Sequence, residues 1–270
     1  MNAEVLPRAS CCIYCGASNA TGYLKPLSTE HIVPLALNGD LILPDASCER
    51  CQKITGTTEQ IVLRGHYRGL RIQQGWKHRK KNEQPTELPI FLPDPAGGRD
   101  IRRMVPLAEY PYVSFFFDLP TPGILIGILP EWEYGLKYRW LRLQATGVDP
   151  PVTSENLTTF STPSLDLHSF CRMIAKIAHA FAAAKVGLHS FVPLLEPIIL
   201  GNATNFYHFV GGFPGATEMP IADKPYEISL SRETCSGRTY LVAKIRLFAN
   251  VPGSRAYQAV VGKIASSNEI

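Results

Sequence analysis

The sequence of 270 residues has no long apolar run that is free of charges and prolines. Its most apolar stretch, residues 112–132, contains Asp118, Glu131 and three prolines, which excludes a membrane-spanning helix there. The N-terminus shows no secretory signal and the seven cysteines are an odd number, so a disulfide framework is disfavoured. Internal repeats are absent as well. We therefore expect a globular protein of the cytoplasm without a membrane partner.

Four of the cysteines form two Cys-x-x-Cys pairs, Cys12 with Cys15 and Cys48 with Cys51. Two such pairs can supply the four thiolates of a tetrahedral zinc ion. The 32 residues between Cys15 and Cys48 exceed the usual zinc-ribbon spacing, but they leave room for a β-hairpin and the start of a helix. Cys11 is a rival ligand, because the Cys11-x3-Cys15 spacing is also permitted. We predict a structural Zn²⁺ site.

The segment between the two pairs predicts a strand, a tight turn and a return strand. Residues 28–37 are rich in aliphatic side chains, which suits a buried strand. Asn38-Gly39-Asp40 is a strong turn signal, because Asn and Gly tolerate positive φ. The return strand over residues 41–43 should then stop at Pro44.

A helix is predicted to follow the return strand. Either Asp45 or Ser47 can cap its N-terminus. The helix carries the second cysteine pair and runs on toward Arg64. His31 is expected on the first strand, facing this helix.

An acidic residue and a histidine stand together in Thr29-Glu30-His31-Ile32-Val33-Pro34. A one-metal phosphodiesterase needs such a pair, because the carboxylate holds a divalent ion and the imidazole takes a proton from water. Together with the opening Cys12-Ile13-Tyr14-Cys15-Gly16, this pattern resembles an HNH endonuclease. That family has the ββα-metal nuclease fold, here in the variety with a four-cysteine zinc site. The resemblance covers residues 12–70.

The resemblance implies a catalytic Mg²⁺ or Mn²⁺ ion bound by Glu30, with His31 as the general base. Many HNH domains place Asn or His directly after the last knuckle and again five residues beyond its last Cys. This sequence has Gln52 and Gly56 at those two places. Glu59 lies one helical turn after Gly56 on the same face, so it is the best substitute ligand.

These assignments have structural alternatives. Asn38 is expected to hold the loop of His31, although its turn role alone also explains it. His31 would otherwise be a core histidine or one close to the zinc ion. Glu59 would otherwise be an ion-pair partner of neighbouring basic side chains. The whole segment would then be a zinc ribbon without chemistry.

Acidic residues are nearly absent from residues 50–82, where nine Lys or Arg accompany one acid, Glu59, for a local charge of +8 in a chain of net charge +4. Aromatic residues such as Trp76 lie among these cations, which suits phosphate contacts and base stacking. A solvated charged face is the alternative. We predict contacts with nucleic acid, most of all DNA, through Arg64, Arg68, Arg71, Lys77, Arg79, Lys80 and Lys81.

The prolines and glycines of residues 82–98 predict a linker, because this stretch holds four of the former and two of the latter. We predict an α+β protein with an N-terminal zinc-stabilised ββα-metal (HNH) domain followed by a larger α+β domain. The first domain covers residues 1–83, the linker 84–104 and the second domain 105–270.

The second predicted domain contains a helix over residues 170–186, which ends at Gly187. Arg172, Lys176 and His179 are expected on a solvated face of this helix. The strands are predicted at residues 112–117, 124–129, 137–143, 226–230, 238–249 and 257–264. The last two should form a hairpin through residues 250–254.

Three functions are consistent with these patterns. The first is a metal-dependent HNH endonuclease that hydrolyses DNA. The second is a non-catalytic zinc-containing nucleic-acid-binding protein, in which Gln52 and Gly56 mark a decayed site. The third is a ligand-gated nuclease effector whose second domain controls the first. A double-strand break would require a homodimer or repeated nicking, because a one-metal HNH site cuts one strand at a time.

Overall fold

A computed structural model describes residues 3–23, 25–65, 67–76, 86–92, 94, 96–99, 101–106, 112–113, 116–128, 145–146, 166–214 and 219–264. These residues form an α+β protein. In chain order its elements are β1 (Glu4–Val5), β2 (Ser28–His31), β3 (Leu41–Ser47), α1 (Glu49–Arg64), α2 (Arg68–Gln73), β4 (Glu87–Leu92), β5 (Ile101–Pro106), β6 (Tyr112–Val113), β7 (Ala145–Thr146), α3 (Leu167–Val186), β8 (Val192–Pro193), α4 (Glu196–Leu200), β9 (Val210–Gly212), β10 (Tyr226–Cys235), β11 (Arg238–Leu247) and β12 (Ala256–Lys263).

The N-terminal sheet has the strand order β1-β3-β2, with β1 parallel and β2 antiparallel to β3. Strand β2 is shorter than the strand predicted within residues 28–37. It ends at His31, and a 3₁₀ turn over Leu35–Leu37 follows Pro34. Asn38 caps this turn at φ 61°. Gly39 is required beside it, because a Cβ at this position would lie 2.1 Å from the carbonyl oxygen of Val33.

The return strand β3 continues past Pro44 to Ser47, contrary to the prediction that it stops there. Proline is tolerated because the β2–β3 register shifts between Ser28 and Glu30, which leaves this part of β3 irregular. Ser28 closes the far end of the pair, where its hydroxyl donates to the carbonyl oxygen of Ser47 at 2.8 Å.

Helix α1 follows β3 directly, and the strand–turn–strand–helix order is as predicted. Its N-cap is Cys48, which makes no side-chain capping bond, so the prediction of Asp45 or Ser47 as the cap is wrong. The buried face includes Thr55 and Thr58, whose hydroxyls donate to carbonyl oxygens one turn earlier. These bonds allow two polar side chains to lie in the interior.

Helix α3 is the longest described helix and is largely buried. Asp166 caps it by accepting from the backbone N–H of Ser169 at 2.8 Å. The helix therefore begins at Leu167, three residues before the predicted start. Thirteen of its 20 residues are buried, and it packs against α1, α4, β11 and β12.

A second sheet has the strand order β10-β11-β12-β8, and β9 also pairs with β12. The predicted hairpin through residues 250–254 is confirmed, because β11 and β12 are antiparallel on either side of it. Other strand predictions differ from the structure. Strand β6 is described at Tyr112–Val113 of the predicted 112–117, of which residues 114–115 lie outside the described residues. A 3₁₀ helix over Gly123–Ile126 lies where a strand was predicted from residue 124 onward. Residues 137–143 lie outside the described residues.

Part of the predicted linker is folded, since β4 and β5 form an antiparallel pair. Residues on both sides of it also share one hydrophobic core. That core includes Ile32 and Tyr67 from the N-terminal part and Phe170, Ile174 and Phe248 from the C-terminal part. The domain boundaries stay a prediction. In the described part of the chain, no helix combines the length and the apolar character that crossing a membrane requires.

Candidate metal centre and buried ion cluster

The two cysteine pairs come together at the start of α1. The sulfur atoms of Cys12, Cys15, Cys48 and Cys51 all lie within 4.8 Å of one another. Cys48 is the N-cap of α1 and Cys51 lies in its first turn, so their three-residue spacing puts both on one face. Three of the four are buried, and Cys15 is exposed. Cys11, the rival ligand, is not a member of this cluster.

The first cysteine pair lies on a tight turn that backbone hydrogen bonds attach to β3. The N–H of Gly16 donates to the carbonyl oxygen of Cys12 at 2.8 Å, and that of Ile13 donates to Ala46 at 2.9 Å. Gly16 has a φ of 70°, which favours glycine. Backbone hydrogen bonds therefore position the thiols of Cys12 and Cys15, and the start of α1 positions those of Cys48 and Cys51.

The cluster fits a tetrahedral metal ion. Zinc–sulfur bonds of about 2.3 Å imply sulfur–sulfur distances of about 3.8 Å, and the sulfurs of Cys15 and Cys48 are 3.7 Å apart. Hydrogen bonding from Cys51 lowers the pKa of Cys12 to about 4, whereas burial raises the pKa of Cys15 to about 11. Thiolates are soft ligands, so these four cysteines could bind a metal ion such as zinc.

A second polar cluster lies at the C-terminal end of β2 and is largely buried. Its members are Glu30 of β2, Glu59 of α1 and Lys176 of α3. The Nζ atom of Lys176 lies 2.5 Å from Oε1 of Glu30 and 2.8 Å from Oε1 of Glu59. The exposed fractions of the three side chains are 3% for Lys176, 7% for Glu30 and 20% for Glu59. The structure thus brings the two predicted metal ligands together, with a lysine between them.

Two backbone carbonyls complete the surroundings of the ammonium group. Lys176 donates to the carbonyl oxygens of His31 and Ile32, the latter at 3.3 Å. Burial acts to lower the pKa of Lys176, but the attraction of both carboxylates raises it above its ordinary value. Lys176 is therefore charged. Burial, reinforced by the negative charge of Glu59 and opposed by Lys176, raises the pKa of Glu30.

The carboxylates do not fit a divalent ion in this arrangement. Mg²⁺ and Mn²⁺ require oxygen ligands at about 2.0–2.2 Å, and the position that contacts both Glu30 and Glu59 is filled by the Nζ atom of Lys176. Gln52 is exposed, and a side chain at Gly56 would meet no atom within 4 Å. Gln52 and Gly56, the two residues that depart from the HNH pattern, therefore lie at positions of α1 with open space around them.

His31 is the last residue of β2 and its side chain is half-buried. Burial, followed by the positive charge of Lys176, lowers the pKa of His31 below its ordinary value. Its imidazole is consequently neutral near pH 7, which is the form that accepts a proton.

His179 connects α3 to the cysteine cluster. It lies one helical turn after Lys176, is fully buried, and its Nε2 atom donates to the carbonyl oxygen of Ile13 at 2.6 Å. Ile13 is inside the first cysteine pair. Burial lowers the pKa of His179 to about 4. Tyr14, whose ring is 5.8 Å from that of His179, is also buried, and burial together with the nearby carboxylates raises its pKa.

The prediction that Arg172, Lys176 and His179 lie on a solvated face of α3 is wrong. Lys176 and His179 are buried, and Arg172 donates to the carbonyl oxygen of Ile199 at the end of α4. A sequence signal for this was present. The three residues follow the spacing of one helix face in a helix whose middle is otherwise rich in apolar residues. Polar side chains on such a face require internal partners once the helix is buried.

The predicted nucleic-acid contacts divide into three groups. Arg64 and Arg68 are exposed at the end of α1 and the start of α2. Arg71 is half-buried and donates to the carbonyl oxygens of Ala36 and Leu63 at 2.7 and 2.9 Å, so it connects α2 to α1 and to the 3₁₀ turn after β2. The remaining four lie outside the described residues: Lys77, Arg79, Lys80 and Lys81.

Trp76, predicted to stack on bases, stacks instead on Phe248, with ring centroids 4.7 Å apart and planes 5° apart. Asn38 has the turn role described above, and its predicted part in the site stays a prediction. A cleft of about 230 Å³ lies elsewhere, between residues 117–121 and the segments around Gly212 and Ala256, with Asp118 and Arg255 in its wall.

No protein-family model, no curated protein and no solved structure matches this chain. The functional assignment therefore depends on the geometry of the two clusters.

Proposed function

We propose that the chain is an HNH-type endonuclease that hydrolyses phosphodiester bonds in DNA. The observation that supports this most is the arrangement of Glu30 and His31 on β2 opposite Glu59 on α1, beside the four-cysteine cluster. The strand–turn–strand–helix order is the one that a ββα-metal nuclease uses, and Glu59 stands one helical turn beyond the position, Gly56, at which that family carries its helix ligand. Zn²⁺ on the four cysteines would fix the turn and the helix start, and thereby the strand that carries His31.

In the proposed reaction, His31 acts as the general base. Its neutral imidazole takes one proton from a water molecule, whose oxygen forms a bond to phosphorus while the bond to the leaving 3′ oxygen breaks. The leaving oxygen takes a proton from solvent. The lowered pKa of His31 keeps the base neutral at physiological pH. In this proposal the cations Arg64 and Arg68, which are exposed, contact the DNA phosphates.

The test is cleavage of supercoiled plasmid and of a labelled single strand in Mg²⁺, Mn²⁺ or EDTA, with the wild type and His31→Ala. We expect strand cleavage that His31→Ala reduces by at least 100-fold while metal content and thermal unfolding stay unchanged. His189→Ala is the matched control, because this histidine is exposed and distant in sequence from the site. Cleavage that persists in His31→Ala would contradict the proposal.

The second candidate function is a non-catalytic zinc-containing nucleic-acid-binding protein. The position of the Lys176 ammonium between the two carboxylates favours it, because that ion pair leaves no room for a divalent ion. This function predicts DNA binding of equal affinity in the wild type and in His31→Ala, with no cleavage in any metal.

A further inference from the structure

Lys176 has the surroundings of a bound cation. Its Nζ atom contacts four oxygens, two from carboxylates and two from backbone carbonyls. The group is almost completely removed from water. Burying charged groups is costly unless each is paired. Glu30 and Glu59 therefore require a positive charge between them.

Helix α3 has little freedom to withdraw this lysine while the rest of the fold is intact. His179 fastens the next turn of the helix to the carbonyl oxygen of Ile13. Arg172 fastens the preceding turn to the end of α4. The apolar side chains on either side are buried in the shared core. Lys176 is thus held in place from both directions along the helix.

We propose that Lys176 is the resident cation of the Glu30–Glu59 pair and excludes divalent ions from it. The inference goes beyond the proposed function, because it concerns which cation the Glu30–Glu59 pair holds in the folded chain and not the cleavage of DNA. A divalent ion bound by both carboxylates would have to occupy the position of the Lys176 ammonium group. Replacement of Lys176 by an uncharged side chain of similar length therefore creates a divalent-ion site that the wild type lacks.

The experiment measures Mn²⁺ binding to the zinc-loaded chain of 270 residues by electron paramagnetic resonance and titration calorimetry. Mn²⁺ is the probe because it prefers oxygen ligands and competes poorly for thiolates. The chains compared are the wild type, Glu59→Gln, Lys176→Met and the double variant Lys176→Met with Glu59→Gln. Cleavage is not the readout, so the result is independent of whether the protein is a nuclease.

We expect Lys176→Met to bind one Mn²⁺ ion at least 10-fold more tightly than the wild type, and the double variant to lose this gain. A folded Lys176→Met chain that binds no additional Mn²⁺ would overturn the inference. The wild type and Glu59→Gln provide a second comparison that does not depend on the folding of Lys176→Met. They should bind Mn²⁺ equally, and weaker binding by Glu59→Gln would show that the wild-type carboxylates already accept the ion.

Discussion

The two polar clusters next to α1 differ in how far apart along the chain their members lie. The four cysteines are all within residues 12–51, and each pair is adjacent in space because of local turn or helix geometry. The ion cluster needs a third member, Lys176, which is separated by 145 residues from the carbonyl of His31 that it contacts. The first cluster can be recognised from spacing alone, whereas the second exists only because α3 packs against α1.

The comparison also separates two kinds of stabilisation. The cysteine cluster can contribute through metal binding, which closes a small unit on itself. The ion cluster contributes by neutralising buried charges that come from both halves of the chain. Changes to each cluster should therefore have different sizes and different dependence on metal.

The largest effect is expected for Cys48→Ser. Loss of one thiolate should release the metal, with a loss on the order of 10 kcal/mol of metal-binding free energy, and should unfold the N-terminal sheet. Zinc content and circular dichroism melting curves measure this. Cys11→Ser is the matched control, because Cys11 is outside the cluster. Equal zinc loss in the two variants would show that the metal ligands are misassigned.

Lys176→Met should lower the free energy of unfolding by roughly 3–5 kcal/mol in the absence of divalent ions, because two buried carboxylates lose their counter-charge. Urea unfolding measures the change. Lys185→Met is the control on the same helix: its side chain is 39% exposed and its Nζ atom is 3.3 Å from Oε1 of Glu4, and we expect at most about 0.5 kcal/mol there. Similar losses in both variants would refute the role given to the ion cluster.

Stability should fall in mild acid because of His179. Its folded-state pKa of about 4 lies below the ordinary value of 6.5, so the unfolded chain takes up the proton first as the pH falls. The stability due to neutral His179 is fully present above about pH 6.5 and is lost progressively down to about pH 4, by roughly 1–1.5 kcal/mol at pH 5.5.

His179→Gln isolates this contribution, because glutamine retains a donor for the carbonyl of Ile13 and does not titrate. Urea unfolding at pH 7.5 and 5.5 should give a smaller pH-dependent loss for the variant than for the wild type. Any acid-induced release of metal is common to both proteins. Identical pH dependence would mean that His179 is not buried in its neutral form.

The smallest effects on folding are expected for the surface arginines. The double variant Arg64→Ala with Arg68→Ala should leave the unfolding curve unchanged. It should weaken DNA binding and reduce the slope of log K against log salt by roughly 2. Arg71→Ala should instead leave DNA binding unchanged and lower the free energy of unfolding. It loses two internal hydrogen bonds worth about 1–3 kcal/mol together. Fluorescence anisotropy at several salt concentrations distinguishes the two outcomes.

The sequence allowed the cysteine cluster, the β2–β3–α1 order, helix α3 and the final hairpin to be predicted. Each depends on local signals: cysteine spacing, a turn at Asn38-Gly39, helical periodicity or a turn-rich connection. The length of β2 was misjudged because an aliphatic run suits a strand and a buried turn equally. The partners of Lys176 and His179 could not be predicted, because they depend on which helix α3 packs against.

Anomalous diffraction from crystals of this chain, grown with zinc and soaked in Mn²⁺, compares the two clusters in one measurement. We predict a zinc peak at the centre of the four cysteine sulfurs and the side chain of Lys176 between Glu30 and Glu59, without a manganese peak there. A manganese peak bound by both carboxylates, with Lys176 displaced, would contradict the account.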